Sequence, residues 1–357
     1  MELTFFAARP VCDAPVYIKA GGIPESTRSV KIGDKLYPAA KVLRRGEEYL
    51  LAVISCPAGE TKPEPSDFES GRDKVSLADG DDAVDVFIGS NRFTSYCYSD
   101  KFIKPYLGPI ATSFGGSFTR LDFDTKEHPH HRSVFLGIGE VSLCGADQVV
   151  DFWNESGNWG YQKHQRIENI FSNDACASFT AYNIWEGQDG IKYLDERRRF
   201  TFYNQGEACR YIDLDIEFTA SYGDIEIGAT KEAGPLGIRM AEALRGDRGG
   251  HLKNSWGAVS ERECWGRPAV WCDYSGRLDG HECGVAVFDC ERNERYPATW
   301  HIRDYGLFAP NNFFFKGGLT LCRGESLHYA YRLVFHEGDC DIAARHILFE
   351  NENHISK

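Results

Sequence analysis

The chain is 357 residues long, 42% hydrophobic and 13% aromatic, enough apolar material to bury a core and to exclude a disordered chain. A formal charge of -13 excludes a nucleic-acid backbone as partner, because that affinity rests on a basic face that displaces counterions. No stretch approaches the about 18 uninterrupted apolar residues of a membrane helix, so no membrane partner is expected.

The start Met1-Glu2-Leu3-Thr4-Phe5-Phe6 has an acid where a secretion signal carries a basic residue, and its apolar run is too short. The 12 cysteines stand at irregular spacings without a Cys-x-x-Cys pair, which leaves no zinc-ribbon or redox motif. Cys97 within Tyr96-Cys97-Tyr98 reads as a small hydrophobe. A reduced, cytoplasmic, soluble protein is expected.

Residues 3–100 alternate short β-rich runs with turns, and Val16-Tyr17-Ile18, Tyr49-Leu50-Leu51-Ala52-Val53-Ile54 and Val84-Asp85-Val86-Phe87-Ile88 read as strands. Residues 57–73, rich in Pro, Glu, Gly and Ser, read as a surface loop. The turn Lys104-Pro105-Tyr106-Leu107-Gly108-Pro109 and the segment Thr119-Arg120-Leu121-Asp122-Phe123 then lead into Glu127-His128-Pro129-His130-His131-Arg132-Ser133. Pro129 has no N–H for a ladder, so this motif is the loop entering the apolar strand Val134-Phe135-Leu136-Gly137-Ile138. If it is extended, His128, His130 and Arg132 point one way, His131 and Ser133 the other. Imidazoles change charge near neutral pH and bind metals, so three beside an arginine at a strand mouth indicate a reaction site.

In Val149-Val150-Asp151-Phe152-Trp153-Asn154-Glu155, alternation places Asp151, Trp153 and Glu155 on one face. An indole flanked by carboxylates suits a sugar, whose C–H face stacks on the ring while the acids take hydroxyls or protons. Residues 168–218 hold strand after strand, of which Tyr211-Ile212-Asp213-Leu214-Asp215-Ile216-Glu217-Phe218 alternates apolar with acidic side chains. The run Arg197-Arg198-Arg199 is expected to pair with those acids across the sheet.

Lys231-Glu232-Ala233-Gly234-Pro235-Leu236-Gly237-Ile238-Arg239 is a glycine-bearing loop entering a strand, without nucleotide-binding spacing. In Tyr296-Pro297-Ala298-Thr299-Trp300-His301-Ile302-Arg303-Asp304-Tyr305-Gly306, alternation groups His301, Arg303 and Tyr305 opposite Trp300, Ile302 and Asp304. A long closing strand follows over residues 324–336, and Ile342-Ala343-Ala344-Arg345-His346-Ile347-Leu348-Phe349 suits a short helix. No repeat and no linker divides the chain, so a single domain over 1–357 is expected, with 1–100 as scaffold strands and 101–357 carrying the motifs.

Four ordered motifs carry a resemblance. They are His128-Pro129-His130-His131-Arg132-Ser133; Asp151-Phe152-Trp153 with Glu155; Trp271-Cys272-Asp273-Tyr274-Ser275-Gly276; and Arg295-Tyr296-Pro297 leading to Trp300-His301-Ile302-Arg303-Asp304-Tyr305-Gly306-Leu307-Phe308. On these, from about residue 104 onward, the chain resembles a family of soluble bacterial proteins known as methane oxygenase PmoA. The name does not describe this chain's chemistry, since a true methane monooxygenase subunit of that kind is a membrane protein. The resemblance implies an all-β antiparallel supersandwich similar to galactose mutarotase, with few short helices. In that class sugars bind across a concave sheet, and His and acidic side chains act as acid and base.

The leading expectation is a carbohydrate-active enzyme that hydrolyses a glycosidic bond, ahead of lyase or epimerase chemistry. His131 or His301 would pair with Glu155 or Asp151 as acid and base. Trp153, Trp300 and Trp271 would contact a small-molecule or oligosaccharide substrate together with His128, His130, Arg120, Arg132, Arg303, Asp304 and Tyr305. The two guanidinium forks of Arg132 and Arg303 suit a uronic-acid carboxylate. No cofactor is expected on this reading. A divalent metal held by His128, His130 and His301, as in cupin-like oxygenases, and a binding module without turnover both stay open.

Overall fold

The computed structural model describes residues 3–354 except 20, 45 and 122–126, so Asp122 and Phe123 of the segment before the histidine motif lie outside it. Two eight-stranded antiparallel sheets pack face to face. The front sheet runs Thr299–Arg303, Leu307–Asn311, Ala233–Arg239, Val134–Ile138, Tyr106–Leu107, Asn91–Cys97, Ala83–Ile88, Val75–Asp79. The back sheet runs Gly160–Ser172, Cys176–Gly187, Lys192–Tyr203, Cys209–Thr219, Ser326–Glu337, His281–Asp289, Trp271–Leu278, His251–Asn254. The expected antiparallel β sandwich is thus the fold observed, and no helix among the described residues is long and apolar enough to cross a membrane.

Residues 3–66 build a five-stranded sheet of their own, in the order Val11–Lys19, Glu47–Cys56, Lys35–Arg44, Ser29–Ile32, Glu64–Ser66. Its apolar face and the helix Ile342–His354 share one core with the outer side of the back sheet, where Val16, Leu51 and Val53 meet Ala286, Phe288 and Val334. The expected loop over residues 57–73 contains two short strands, Gly59–Thr61 and Glu64–Ser66, because backbone there pairs with Phe5–Ala7 and Ser29–Ile32. The arginine run divides by the two-residue period. Arg197 pairs with Glu217 at 3.2 Å on the wet face, while Arg198 points inward and is met by the equally buried Glu196.

The same period decides what each front-sheet strand presents. Val134, Leu136 and Ile138 enter the core between the sheets with Leu236, Ile238, Trp300, Ile302 and Phe308. Phe135 turns outward, with Tyr106, Leu307 and Ala309, and forms a third apolar cluster beneath Trp153. Two glycines make room for these rings against the sheet. A Cβ on Gly237 would stand 2.5 Å from the Phe135 ring, and one on Gly137 would meet the Phe152 carbonyl oxygen and Trp153 Cα at 3.1 Å. The Gly137 neighbours are backbone and cannot swing away, so Gly137→Ala is expected to destabilise by about 1–3 kcal/mol in denaturant titrations. An unchanged midpoint would contradict this packing.

Candidate active site on the outer face of the front sheet

The histidine motif forms a turn and not an extended segment, which corrects the alternation expected for it. The His131 N–H donates to the His128 carbonyl at 3.0 Å, and His128 has φ of 51° in the left-handed region. Proline at the second position favours such a turn. In consequence His128 and His131, three apart, lie parallel with ring centroids 5.0 Å apart. His128 also stacks on Tyr305 at 4.5 Å, and His131 on Phe135 at 5.5 Å. His130 packs edge-on to His131 at 4.2 Å.

The two histidine-bearing segments meet on one indole. Trp153 lies 5.7 Å from the His131 ring and 6.5 Å from that of His301. His301 and Arg303 face outward from their strand, as alternation requires, and Tyr305 joins them from the turn that follows. Trp300 points the other way, 1% exposed in the core between the sheets, its indole N–H donating to the Ala269 carbonyl at 2.9 Å. It offers no face to a sugar, which corrects its expected role. Trp271 is corrected likewise: it belongs to the back sheet and is buried against the N-terminal sheet. Trp153 is at the site but only 1% exposed, so it wedges two imidazoles apart and presents no open platform.

Asp151 and Glu155 do not share a strand face. The segment is a turn in which Asp151 Oδ1 accepts from the Trp153 and Asn154 N–H groups at 2.8 and 2.9 Å and Oδ2 from the Asn154 amide at 2.7 Å. This carboxylate is committed to shaping its own turn, as Asp does in Asx turns. Glu155 instead reaches the site, accepting from Arg132 at 2.5 Å and standing 3.7 Å from the Lys104 ammonium. Arg303 pairs with Glu261 at 3.0 Å, and the neighbouring Asp304 N–H donates to the same carboxylate at 2.6 Å. Arg120 donates to the Tyr305 carbonyl at 3.3 Å and pairs with Glu242.

Two residues here carried no chemical reading in the sequence. Lys104, taken for part of a turn, is 1% exposed and donates to the Trp153 carbonyl. Burial pulls its ammonium down to about 8, against the opposing pull of Glu155. Arg239 is fully buried, donates to the Tyr305 carbonyl at 3.0 Å, and lies 3.7 Å from Glu127. Its signal was a guanidinium at the outward position of an otherwise apolar strand end, Leu236-Gly237-Ile238-Arg239.

His131 is 1% exposed, and among the described residues neither of its ring nitrogens has a hydrogen-bond partner. Burial drives its pKa well below the ordinary histidine value, and the charges of His130, Arg239, His128 and Lys104 add to that. His130 is brought down to about 3 by burial and the nearby Lys104, and His301 to about 4 by burial. His301 Nδ1 lies 2.8 Å from the Lys231 carbonyl, so in the neutral ring Nδ1 carries the proton and Nε2 is left as an acceptor. Among the described residues no group of three or more His, Cys, Asp and Glu side chains is placed to hold a metal ion, so His128, His130 and His301 do not assemble as the metal reading required.

These imidazoles make the fold acid-sensitive. Their folded pKa values lie below the ordinary value near 6.5, so beneath about pH 6.5 the unfolded chain binds protons that the native one refuses, and stability falls with pH. The buried His131, His301 and His346 each add to this loss as pH falls through the window toward their folded values, and His130 less because it is partly exposed. His336 acts in the opposite sense, since Asp273 outweighs burial and raises its pKa. Urea titrations at pH 8, 6.5, 5.5 and 4.5 should show little change above 6.5 and a loss of several kcal/mol below it. Constant stability to pH 4.5 would contradict the buried neutral histidines.

The fold and this site together define an all-β sandwich protein with a titratable cluster on the outer face of one large sheet. The chain belongs to the family of unknown function DUF6807, whose model matches residues 83–349. The methane-oxygenase name implied by the sequence resemblance gains no support from this match. Among solved structures, the chain is similar to an α-galactosidase from Lactobacillus brevis, at 9% identity and a TM-score of 0.36 over 74% of this chain and 39% of that one. It is also similar to a galactose 1-epimerase from Lactobacillus acidophilus NCFM, at 10% identity and a TM-score of 0.34 over 75% of this chain and 100% of that one. The chain thus spans well under half of the α-galactosidase, and neither likeness carries an argument about chemistry. No curated protein matches.

Proposed function

We propose that the protein is a carbohydrate-active enzyme that moves a proton to and from a carbon atom of a sugar acid, in the manner of a lyase or epimerase. The observation that carries this reading is His131, an imidazole buried among cations with no partner for either nitrogen among the described residues. Such a ring is a weak base while the site is empty. An anionic substrate beside Arg239 and Lys104 offsets their charge and raises the proton affinity of the ring toward neutrality. The same cations stabilise the negative charge that develops when a proton leaves the carbon next to a carboxylate. A uronate therefore suits the site better than a neutral sugar.

Glycosidic hydrolysis, the first expectation from sequence, fits less well. It calls for two carboxyl groups flanking the scissile bond, and Asp151 is taken up by its own turn. A binding module built on aromatic platforms lacks the platforms, since Trp153 and Trp300 are buried. His301, with Nε2 available as acceptor, is the second proton carrier, and no cofactor enters the reading. His128 covers His131 at 5.0 Å and must swing aside for substrate to enter. The free cysteines agree with a reducing compartment, and we place the protein in the cytoplasm.

The test is incubation in D2O with a panel of aldoses, uronic acids and uronate oligosaccharides, followed by NMR. Deuterium at the carbon next to the carboxylate, or a new C=C bond there, is expected for uronates alone. Cleavage without carbon-bound deuterium would restore hydrolysis, and turnover of neutral aldoses alone would overturn the anionic substrate.

A further inference from the structure

On the far side of the molecule, where the N-terminal sheet and the terminal helix cover the back sheet, two free cysteines share one packed cluster. Cys340 lies in the link between the strand Ser326–Glu337 and the helix Ile342–His354 and is half-buried. Cys209 opens the strand Cys209–Thr219, is 2% exposed, pairs across the sheet with His336, four residues before Cys340, and lies in the apolar cluster against which Cys340 packs. Arg345, one turn into the helix, donates from Nε to Cys340 Sγ at 3.0 Å. Its guanidinium is fixed by the Tyr211 hydroxyl at 2.6 Å and the Cys12 carbonyl at 2.9 Å, so it is aimed at the sulfur. His336 stands nearby: its Nε2 lies 3.0 Å from Asp273 Oδ1 and its Nδ1 3.3 Å from the Gly338 carbonyl, and the bond to Asp273 raises its pKa against burial.

We propose that Cys340 and Cys209 form a peroxide-responsive dithiol, with Cys340 as the attacking thiolate and Cys209 as the thiol that resolves it. The Cys340 sulfur attacks the distal oxygen of a hydroperoxide, forming an S–O bond as the O–O bond breaks. Sulfur is oxidised by two electrons, and the peroxide is reduced to alcohol or water after taking a proton. Cys209 sulfur then attacks the sulfenic sulfur; the S–S bond forms, the S–O bond breaks, and hydroxide leaves with the Cys209 proton as water. The product ties the start of the terminal helix to the back sheet, and a thiol reductant reverses it.

The surroundings divide the pair as this requires, since Arg345 donates to the half-buried Cys340 while Cys209 is buried. The Cys340 thiol is lowered, first by its Cys209 neighbour, with Arg345 and His336 adding to the effect against burial. Cys209 is pushed well above the ordinary thiol value by burial, to which Asp13 contributes. The exposed Cys144 and Cys322 are raised, Cys144 by its slight desolvation and nearby acids, Cys322 by Glu325, and so serve as internal standards. The inference is independent of the histidine site and of the function proposed for it.

The experiment uses the reduced, full-length protein. At pH 6.5 iodoacetamide should modify Cys340 about tenfold or more faster than Cys144 and Cys322. One equivalent of hydrogen peroxide should yield a Cys209–Cys340 disulfide in non-reducing peptide maps. In C209S the reaction should stop at a sulfenic acid on Cys340 that dimedone traps, and in R345M labelling of Cys340 should fall toward that of Cys144. Labelling of wild-type Cys340 no faster than the two standards, or a peroxide product linking other cysteines, overturns the proposal without recourse to any variant.

Discussion

Replacement of His131 by leucine is expected to stabilise the protein while abolishing the proton transfer proposed for it. Among the described residues His131 has no hydrogen-bond partner, and such a buried polar side chain carries a desolvation penalty of about 1–3 kcal/mol that leucine removes. The loss of ring contact with Phe135 and His128 offsets part of the gain. The net is a stabilisation of about 1 kcal/mol, or about 1 °C in Tm for a chain of this size. At pH 8 His131 is neutral in both the folded and unfolded states, so a melt at that pH is free of proton linkage. A leucine variant that melts clearly below the wild type would mean that the imidazole is a structural member of the cluster. Functional sites are where such local costs are retained.

The opposite sign is expected at Glu155. Glu155→Leu takes the carboxylate away from Arg132 and Lys104, whose side chains are 7% and 1% exposed. Removing one member of a buried ion pair is destabilising by about 3–5 kcal/mol, because the remaining charge stays desolvated. Part of this loss is pH-dependent. Lys104 already has a folded pKa near 8, below its ordinary value of 10.5, and Glu155 is what holds it up. In the variant that pKa drops further, so the unfolded chain binds more protons than the native one over a wider range below 10.5. Stability then rises with pH across that range. The deficit of the variant should therefore be smaller at pH 9.5 than at pH 7, as measured by urea titration at both. An equal deficit at both would place the energetic load on Arg132 alone.

Much of the architecture was legible because strands repeat every two residues. Tyr211 to Phe218 alternate as expected, and the helix starting at Ile342 falls where its spacing predicts. The same logic aligned His301 with Arg303 and put both on the face that His131 reaches. It failed where side-chain or proline chemistry overrides the period. Pro129 turns the histidine motif, so His128 stacks on His131 and does not oppose it. Asp151 closes its own Asx turn and removes itself from the row that Trp153 and Glu155 were to share. Trp300 illustrates a different limit. A strand buried on both faces gives no sign of which face is inner, and an indole that finds the Ala269 carbonyl can be buried at no polar cost. Lys104 was hidden because nothing local marks a lysine whose ammonium meets a carbonyl 49 residues later.

The claim on which the account turns is that His131 carries the proton in a reaction on a sugar acid. Its most direct test is solvent deuterium entering the carbon next to the carboxylate of a uronate, followed by NMR for the wild type and H131L side by side at pH 8. Exchange is predicted in the wild type, with a loss of about 100-fold or more in the variant. Equal exchange rates in the two proteins, or no exchange into any uronate by the folded wild type, would contradict it.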